Sequence, residues 1–147
     1  MLEVNVLKLR KGARLPSQGS EKAAGYDLYA CLDRDEVTVA PHTTVKVGTG
    51  LALALPDGCF GAVFARSGLA AKEGLRPANC VGVCDSDYRG EYIVALHNDS
   101  DLPRTVKNGD RIAQLVVLPY LPVAFCETDA LDETARGAGG FGSTGKQ

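Results

Sequence analysis

No run of apolar residues in the chain approaches the roughly 20 that a membrane-spanning helix requires. The opening Met1-Leu2-Glu3, followed by alternating polar residues, does not have the pattern of a secretory signal. Both absences point to a soluble protein inside the cell, cytoplasmic, or nuclear in a eukaryote. A basic stripe is missing as well: 16 Lys and Arg stand against 18 Asp and Glu, spread along the chain for a formal net charge of −2. A nucleic-acid groove needs such a stripe, so neither nucleic acid nor membrane is expected as a partner, and any phosphate must be held locally. Metal-type cysteine spacing is also lacking. Cys31, Cys59, Cys80, Cys84 and Cys126 are odd in number and include no CxxC pair. The last four sit among apolar neighbours, where a thiol serves as a small core hydrophobe. Cys80 and Cys84 flank a candidate site, but nothing adjacent in sequence would lower their pKa.

What is present fits one domain: 147 residues, enough for a fold that buries roughly 68–70% of its extended-chain surface. Short β-rich runs follow one another at Val37-Val39, Thr44-Val47, Leu51-Leu55, Gly61-Phe64, Tyr92-Leu96, Ile112-Val117 and Pro122-Phe125, separated by Gly, Pro, Asn and Asp. The expected class is all-β, a sandwich or barrel. One short helix is expected over Leu69-Glu73, with Ser67 as N-cap and Gly74 as its stop. No repeat or linker interrupts the chain, and the composition changes only after Asp132. A body over residues 1–132 and a flexible glycine-rich C-terminal arm over 133–147 are therefore expected.

That arm contains two phosphate-loop patterns that fail on context. Gly137, Gly139 and Gly142 satisfy GxGxxG, and Gly140 to Lys146 satisfies GxxxxGK, yet Gln147 stands where the P-loop hydroxyl belongs and no helix can follow. Its exposed amides can still bind phosphate, with Arg136, Ser143 and Thr144 as further donors and Phe141 as a stacking face. Taken alone, it also reads as a disordered polar end.

Three further segments carry chemistry. Ala65-Arg66-Ser67-Gly68-Leu69 would aim helix-opening amides and a guanidinium at an anion, or form an ordinary helix start with a solvated arginine. Gly82-Val83-Cys84-Asp85-Ser86-Asp87-Tyr88-Arg89-Gly90-Glu91-Tyr92 is a turn between apolar runs bearing carboxylates and an aromatic ring. Asp85 there can take a proton from water, although Asx residues also fill turns for local reasons, which serves equally for Asp87. Asp27, in Ala24-Gly25-Tyr26-Asp27-Leu28-Tyr29, is a second carboxylate near a hard cation or a strand-edge polar residue. Gln114, inside the apolar strand of Gly109-Asp110-Arg111-Ile112-Ala113-Gln114-Leu115, needs a hydrogen-bond partner that a ligand could supply.

In their order and spacing these segments, with the arm, resemble the motifs of the homotrimeric dUTPase family over Ala24 to Gly145, nearly the whole chain. The resemblance implies a distorted jelly-roll β-barrel and the hydrolysis of dUTP to dUMP and pyrophosphate, which limits uracil incorporation into DNA and supplies dUMP for dTMP synthesis. It implies a uracil pocket formed by a hairpin from Asn79 through Tyr88, with Gly82 and Val83 in its wall. The residue matching Asn79 reads the pyrimidine edge, and the ring matching Tyr88 packs on the sugar and excludes a 2′-hydroxyl, a repulsive element of specificity. Asp85 matches the residue that deprotonates the water attacking the α-phosphorus. Asp27 matches an aspartate that meets Mg²⁺ through water, while the substrate phosphates hold the metal. Arg66, Ser67, Gly68 and Gln114 match phosphate-binding residues. In the arm, Phe141 would close over the base while Arg136, Gly142, Ser143 and Thr144 grip the γ-phosphate, as a lid does. The resemblance also implies a homotrimer with sites shared between subunits.

Cys84 departs from the pattern, standing where the family more often carries an aliphatic residue; the small loss of volume is expected to be tolerated. A related fold with a different chemistry, dCTP deamination, would need an extra carboxylate at the base, for which Asp87 and Glu91 are present. A trimeric nucleotide-binding module without catalysis is the other alternative, against which Asp85, Asp27 and Arg66 stand.

Overall fold

The computed structural model describes residues 2–141. The chain runs through β1 (Asn5–Lys8), β2 (Ser17–Gln18), β3 (Tyr26–Tyr29), β4 (Glu36–Val39), β5 (Thr44–Gly48), β6 (Leu51–Ala54) and β7 (Cys59–Phe64) before its helix, α1 (Ser67–Glu73). It continues through β8 (Leu75–Pro77), β9 (Val81–Cys84), β10 (Ile93–Asn98), β11 (Arg104–Lys107) and β12 (Arg111–Pro119). The fold is all-β with one short helix, as the alternating runs led us to expect. The strands pair antiparallel in four sheets, β1-β6, β5-β10-β8, β11-β4 and β2-β3-β12-β7-β9. The expected barrel does not close among the described residues.

Strand periodicity explains the core. In β10, Val94, Leu96 and Asn98 point inward while Ile93 faces solvent, the alternation of a sheet with one buried face. Leu28, Val39, Val47, Leu51, Leu75, Leu96 and Ile112 are fully buried and pack into one cluster. The nine-residue β12 lies between β3 and β7 and carries the polar Gln114 into the middle of the largest sheet.

Four local expectations need correction. Pro122-Phe125 is not a strand: residues 120–141 contain neither helix nor strand, and Leu121, Val123 and Phe125 are exposed. The run has β propensity, but among the described residues no strand pairs with it. Ser67 is the first residue of α1 rather than its cap; Arg66 holds the cap position in extended conformation without a side-chain capping bond. The stop holds, with Gly74 in the left-handed region (φ 70°) donating its N–H to Ala70. The expected hairpin from Asn79 to Tyr88 is replaced by an edge strand, β9, paired to β7 alone. Of the cysteines only Cys31 is fully buried; Cys59 and Cys84 are half-buried, and Cys80 and Cys126 are exposed.

Candidate functional site

The register of the large sheet sets one row of side chains across its strands. Asp27 on β3 stands opposite Gln114 on β12, and Gln114 opposite Phe64 on β7, two residues before Arg66. The Asp27 carboxylate, with 13% of its side chain exposed, accepts from Arg66 Nε at 2.7 Å and from Arg111 Nη1 at 3.2 Å. Gln114 donates its Nε2 to the carbonyl of Ala65 at 2.8 Å, which meets the partner requirement posed by its sequence and fixes the chain just before Arg66. Its side chain lies so close over Gly25 that a Cβ there would overlap it. Asp27, Arg66 and Gln114 are thus brought together, and Ser67 and Gly68 begin α1 beside them with both residues exposed. The cluster presents two guanidinium groups around one carboxylate, a surface suited to phosphate oxygens.

A cavity of about 280 Å³ lies elsewhere, lined by Asn79, Gly82, Val83, Cys84, Asp85, Tyr88, Glu91 and Tyr92 together with Leu28, Val63 and residues of β10. The chain enters it through a tight turn in which Cys80 takes a positive φ of 62° and Val81 donates to the carbonyl of Asn79 at 2.6 Å. Gly82 lies close under Val63 and Asn79: a Cβ there would come within 3.3 Å of Val63 Cβ and 3.4 Å of Asn79 Nδ2, so Val63 would have to shift. Asp85 opens a turn closed by the Tyr88 N–H at 3.2 Å, so the exposed carboxylate and the tyrosine ring stand on the same lip. Burial pushes the Cys84 thiol above its ordinary pKa; the nearby Tyr92 hydroxyl opposes this and the Asp85 charge adds to it. The thiol therefore stays protonated beside Asp85 and offers no competing nucleophile.

These two clusters do not form one pocket in a single chain. β7 and β9 pair with Phe64 opposite Val81 and Gly61 opposite Cys84. Asp27, Arg66, Ser67, Gly68 and Gln114 do not line the cavity that holds Asp85. The arm is a third separate part: Arg136 Nε donates to the carbonyl of Gly139 at 2.9 Å, and Phe141 is fully exposed at a φ of 50°. Gly142, Ser143 and Thr144 lie outside the described residues.

Several neighbours escaped the sequence reading. Arg111 joins Asp27 although 84 positions separate them. Glu91 has its carboxylate held by Arg10 and by the N–H of Gly50 at 2.7 Å, and so is not free to activate water at a base. Its only sequence signal was its place in an acidic turn. Among the described residues no group of three or more His, Cys, Asp or Glu could hold a metal ion.

The dUTPase family model matches residues 11–145. The deoxyuridine 5'-triphosphate nucleotidohydrolase of Desulfitobacterium hafniense is 53% identical over 145 residues, covering 98% of this chain and 95% of that protein. The chain is also similar to the Staphylococcus bacteriophage 80alpha dUTPase with dUPNHPP, at a TM-score of 0.88 and 25% identity, with 99% of each chain covered. A variant dUTPase from phage phi11 of S. aureus, whose structure reveals the coordination of a structural Mg(II) ion, has a TM-score of 0.79 at 22% identity, covering 90% of this chain and 100% of that one.

Proposed function

The chain belongs to the dUTPase family and is a dUTP diphosphatase, and we propose that it cleaves dUTP by attack of an Asp85-activated water on the α-phosphorus. The water gives its proton to the Asp85 carboxylate as its oxygen bonds to phosphorus. The bond from the α-phosphorus to the bridging oxygen breaks, and pyrophosphate leaves with that oxygen. The observation that carries this reading is the cavity lined jointly by Asn79, Gly82, Val83, Asp85 and Tyr88. It sets a carboxylate and a tyrosine ring beside a recess of nucleoside size. Asn79 and the backbone around Gly82 and Val83 read the uracil edge, and the Tyr88 ring packs on the deoxyribose.

Arg66, Ser67, Gly68 and Gln114 bind the phosphate chain, with Arg111 added to that set by its place on Asp27. These groups are fixed before substrate arrives, which is how charge that develops in a transition state is stabilised without reorganisation. That the Arg66 cluster does not line the Asp85 cavity of its own chain supports a homotrimer in which the Asp85 cavity of one subunit faces the Arg66 cluster of another. The arm, residues 133–147, closes the site with Arg136 and Phe141, joined by Gly142, Ser143 and Thr144.

Mg²⁺ suits this arrangement because the described residues offer no cage of their own, and that ion keeps several waters and borrows substrate oxygens. When bound it supplies charge neutralisation along the triphosphate. Asp27, already paired with two arginines, is left to meet it through water rather than directly.

The test is incubation with Mg²⁺ and, separately, dUTP, dTTP, UTP and dCTP, with pyrophosphate and ammonia measured. Pyrophosphate from dUTP is expected, with a loss of about 10²–10⁴-fold in kcat for Asp85→Asn while a non-hydrolysable dUTP analogue still binds. Full activity in Asp85→Asn would remove the assigned base, and ammonia from dCTP would move the enzyme to the deaminase branch.

A further inference from the structure

Tyr88 does not stand free at the lip of the cavity. Its hydroxyl donates to the backbone carbonyl of Glu91 at 3.0 Å. Its ring lies against Tyr92, with centroids 6.1 Å apart and planes tilted by 43°. Gly90 sits directly behind it, where a Cβ would overlap the hydroxyl and ring. The ring is therefore folded back over its own turn and held on three sides.

The Glu91 end of this clamp is in turn fixed from a distant part of the chain. The Glu91 carboxylate, 23% exposed, receives Arg10 and the N–H of Gly50. Gly48 leaves the space that both side chains fill, since a Cβ there would overlap Arg10 Nη2 and Glu91 Oε1. Burial works against the Arg10 charge, yet the hydrogen bond and charge of Glu91 outweigh it and raise the Arg10 pKa. A part-buried pair of this kind is costly to break from one side, because the remaining charge loses its partner. Arg10 is also within 3.6 Å of Asp33, which is almost fully solvent-exposed and adds little.

We infer that Arg10 and Glu91 are positioning residues for the sugar end of the site. Their ion pair holds the Glu91 carbonyl, that carbonyl holds the Tyr88 hydroxyl, and the fixed ring discriminates deoxyribose from ribose. The inference rests on the reading of Tyr88 as the ring that packs on the sugar. Neither Arg10 nor the Glu91 side chain touches substrate in this scheme. Rejection of a 2′-hydroxyl by packing requires that the ring not give way, and a ring free to swing outward would admit UTP.

The experiment compares kcat/KM for dUTP and UTP in the wild-type enzyme, Arg10→Met, Glu91→Ala, Tyr88→Phe and the double variant Glu91→Ala/Tyr88→Phe, with thermal melting as the check on folding. Each single variant is expected to lower the dUTP-to-UTP ratio by about three- to tenfold, and the double variant to fall no further than either single one, since Glu91→Ala loosens the carbonyl that Tyr88→Phe no longer contacts and both act through that one bond. An unchanged ratio in folded Arg10→Met and Glu91→Ala, with the wild type discriminating, overturns the proposal and leaves the sugar-packing role of Tyr88 standing. Additive losses in the double variant overturn the route through the Tyr88 hydroxyl. A wild type that hydrolyses UTP as readily as dUTP removes the sugar-packing reading itself, and the proposal with it. Should Glu91→Ala and Arg10→Met fail to fold, Tyr88→Phe leaves both partners of the Glu91 carboxylate intact, and an unchanged ratio there overturns the proposal by itself.

Discussion

Tyr92 is 2% exposed, and its hydroxyl oxygen is buried without a hydrogen-bond partner of good geometry. The Cys84 thiol, a weak acceptor, lies near it, and burial raises the phenol pKa well above its ordinary value. A desolvated, unpaired hydroxyl costs about 1–3 kcal/mol, so Tyr92→Phe is expected to leave stability unchanged or raise it by up to about 1 kcal/mol at neutral pH. Urea unfolding measures this, and a clear loss would show the thiol to be a real partner. The pH dependence has a definite sign. The unfolded phenol titrates near pH 10 and the folded one higher, so above about pH 10 the unfolded chain sheds its proton first and the folded state loses stability. Below that value the contribution is fully present. Wild-type stability should therefore fall relative to Tyr92→Phe as the pH rises above about 10, and parallel curves would show that Tyr92 is not the group responsible. Asp85, Asp27, Arg66 and Gln114 could be singled out because each lies in a short segment of its own, but each had an equally good local reading there, and only the resemblance joined them into one site. Arg111, Arg10 and the role of Glu91 were not, because their partners are 81 or more positions away and no local spacing announces such a pair.

Elements were legible where one face is buried and the alternation is clean, as in β10 and β12. Pro122-Phe125 shows the opposite case: apolar, β-prone residues become a strand only when an edge pairs with them, and propensity alone does not supply the edge. The missed β1, β2, β3, β8, β9 and β11 have at most four residues each and mix polar residues, Gly or Pro into that length, so no run stands out. Between β10 and β11 the connection depends on one fully buried side chain, Asn98. Its Nδ2 donates to the carbonyls of Val39 at 3.0 Å and Leu102 at 2.8 Å, and its Oδ1 accepts from the N–H and hydroxyl of Ser100 at 2.9 and 2.7 Å. Asn98→Ala would leave buried groups on three segments unpaired and is expected to cost about 2–4 kcal/mol, read as a lower urea midpoint with an unchanged slope. A cost below about 0.5 kcal/mol would mean that the loop simply re-pairs with water. A second element-level expectation concerns Gly25, where a side chain would collide with Gln114. Gly25→Ala should displace the Gln114 bond to Ala65 and raise KM for dUTP more than it changes the Asp85 step in kcat.

At the scale of the molecule, the chain carries a nucleoside-sized cavity, a phosphate-type cluster and an exposed arm that do not meet within one copy. Arg66 does not line the cavity that holds Asp85, and on the proposed reading a complete site takes Asp85 from one chain and Arg66 from a second. Symmetric closure makes every copy use the same two surfaces in turn. Asp85→Asn and Arg66→Ala should each be nearly inactive as homotrimers. When the two are co-expressed with different tags and purified on both, each mixed ring holds either two copies of one and one of the other. Going round the ring, one interface joins an intact Asp85 to an intact Arg66 on the next subunit. Activity should therefore return to about one-third of wild type. If Asp85 and Arg66 served the same site within one chain, no site in any mixed ring would be intact and activity would stay at the level of the parents. The measurement is a pyrophosphate-release assay on the doubly purified protein, with sedimentation establishing that the species assayed is a trimer.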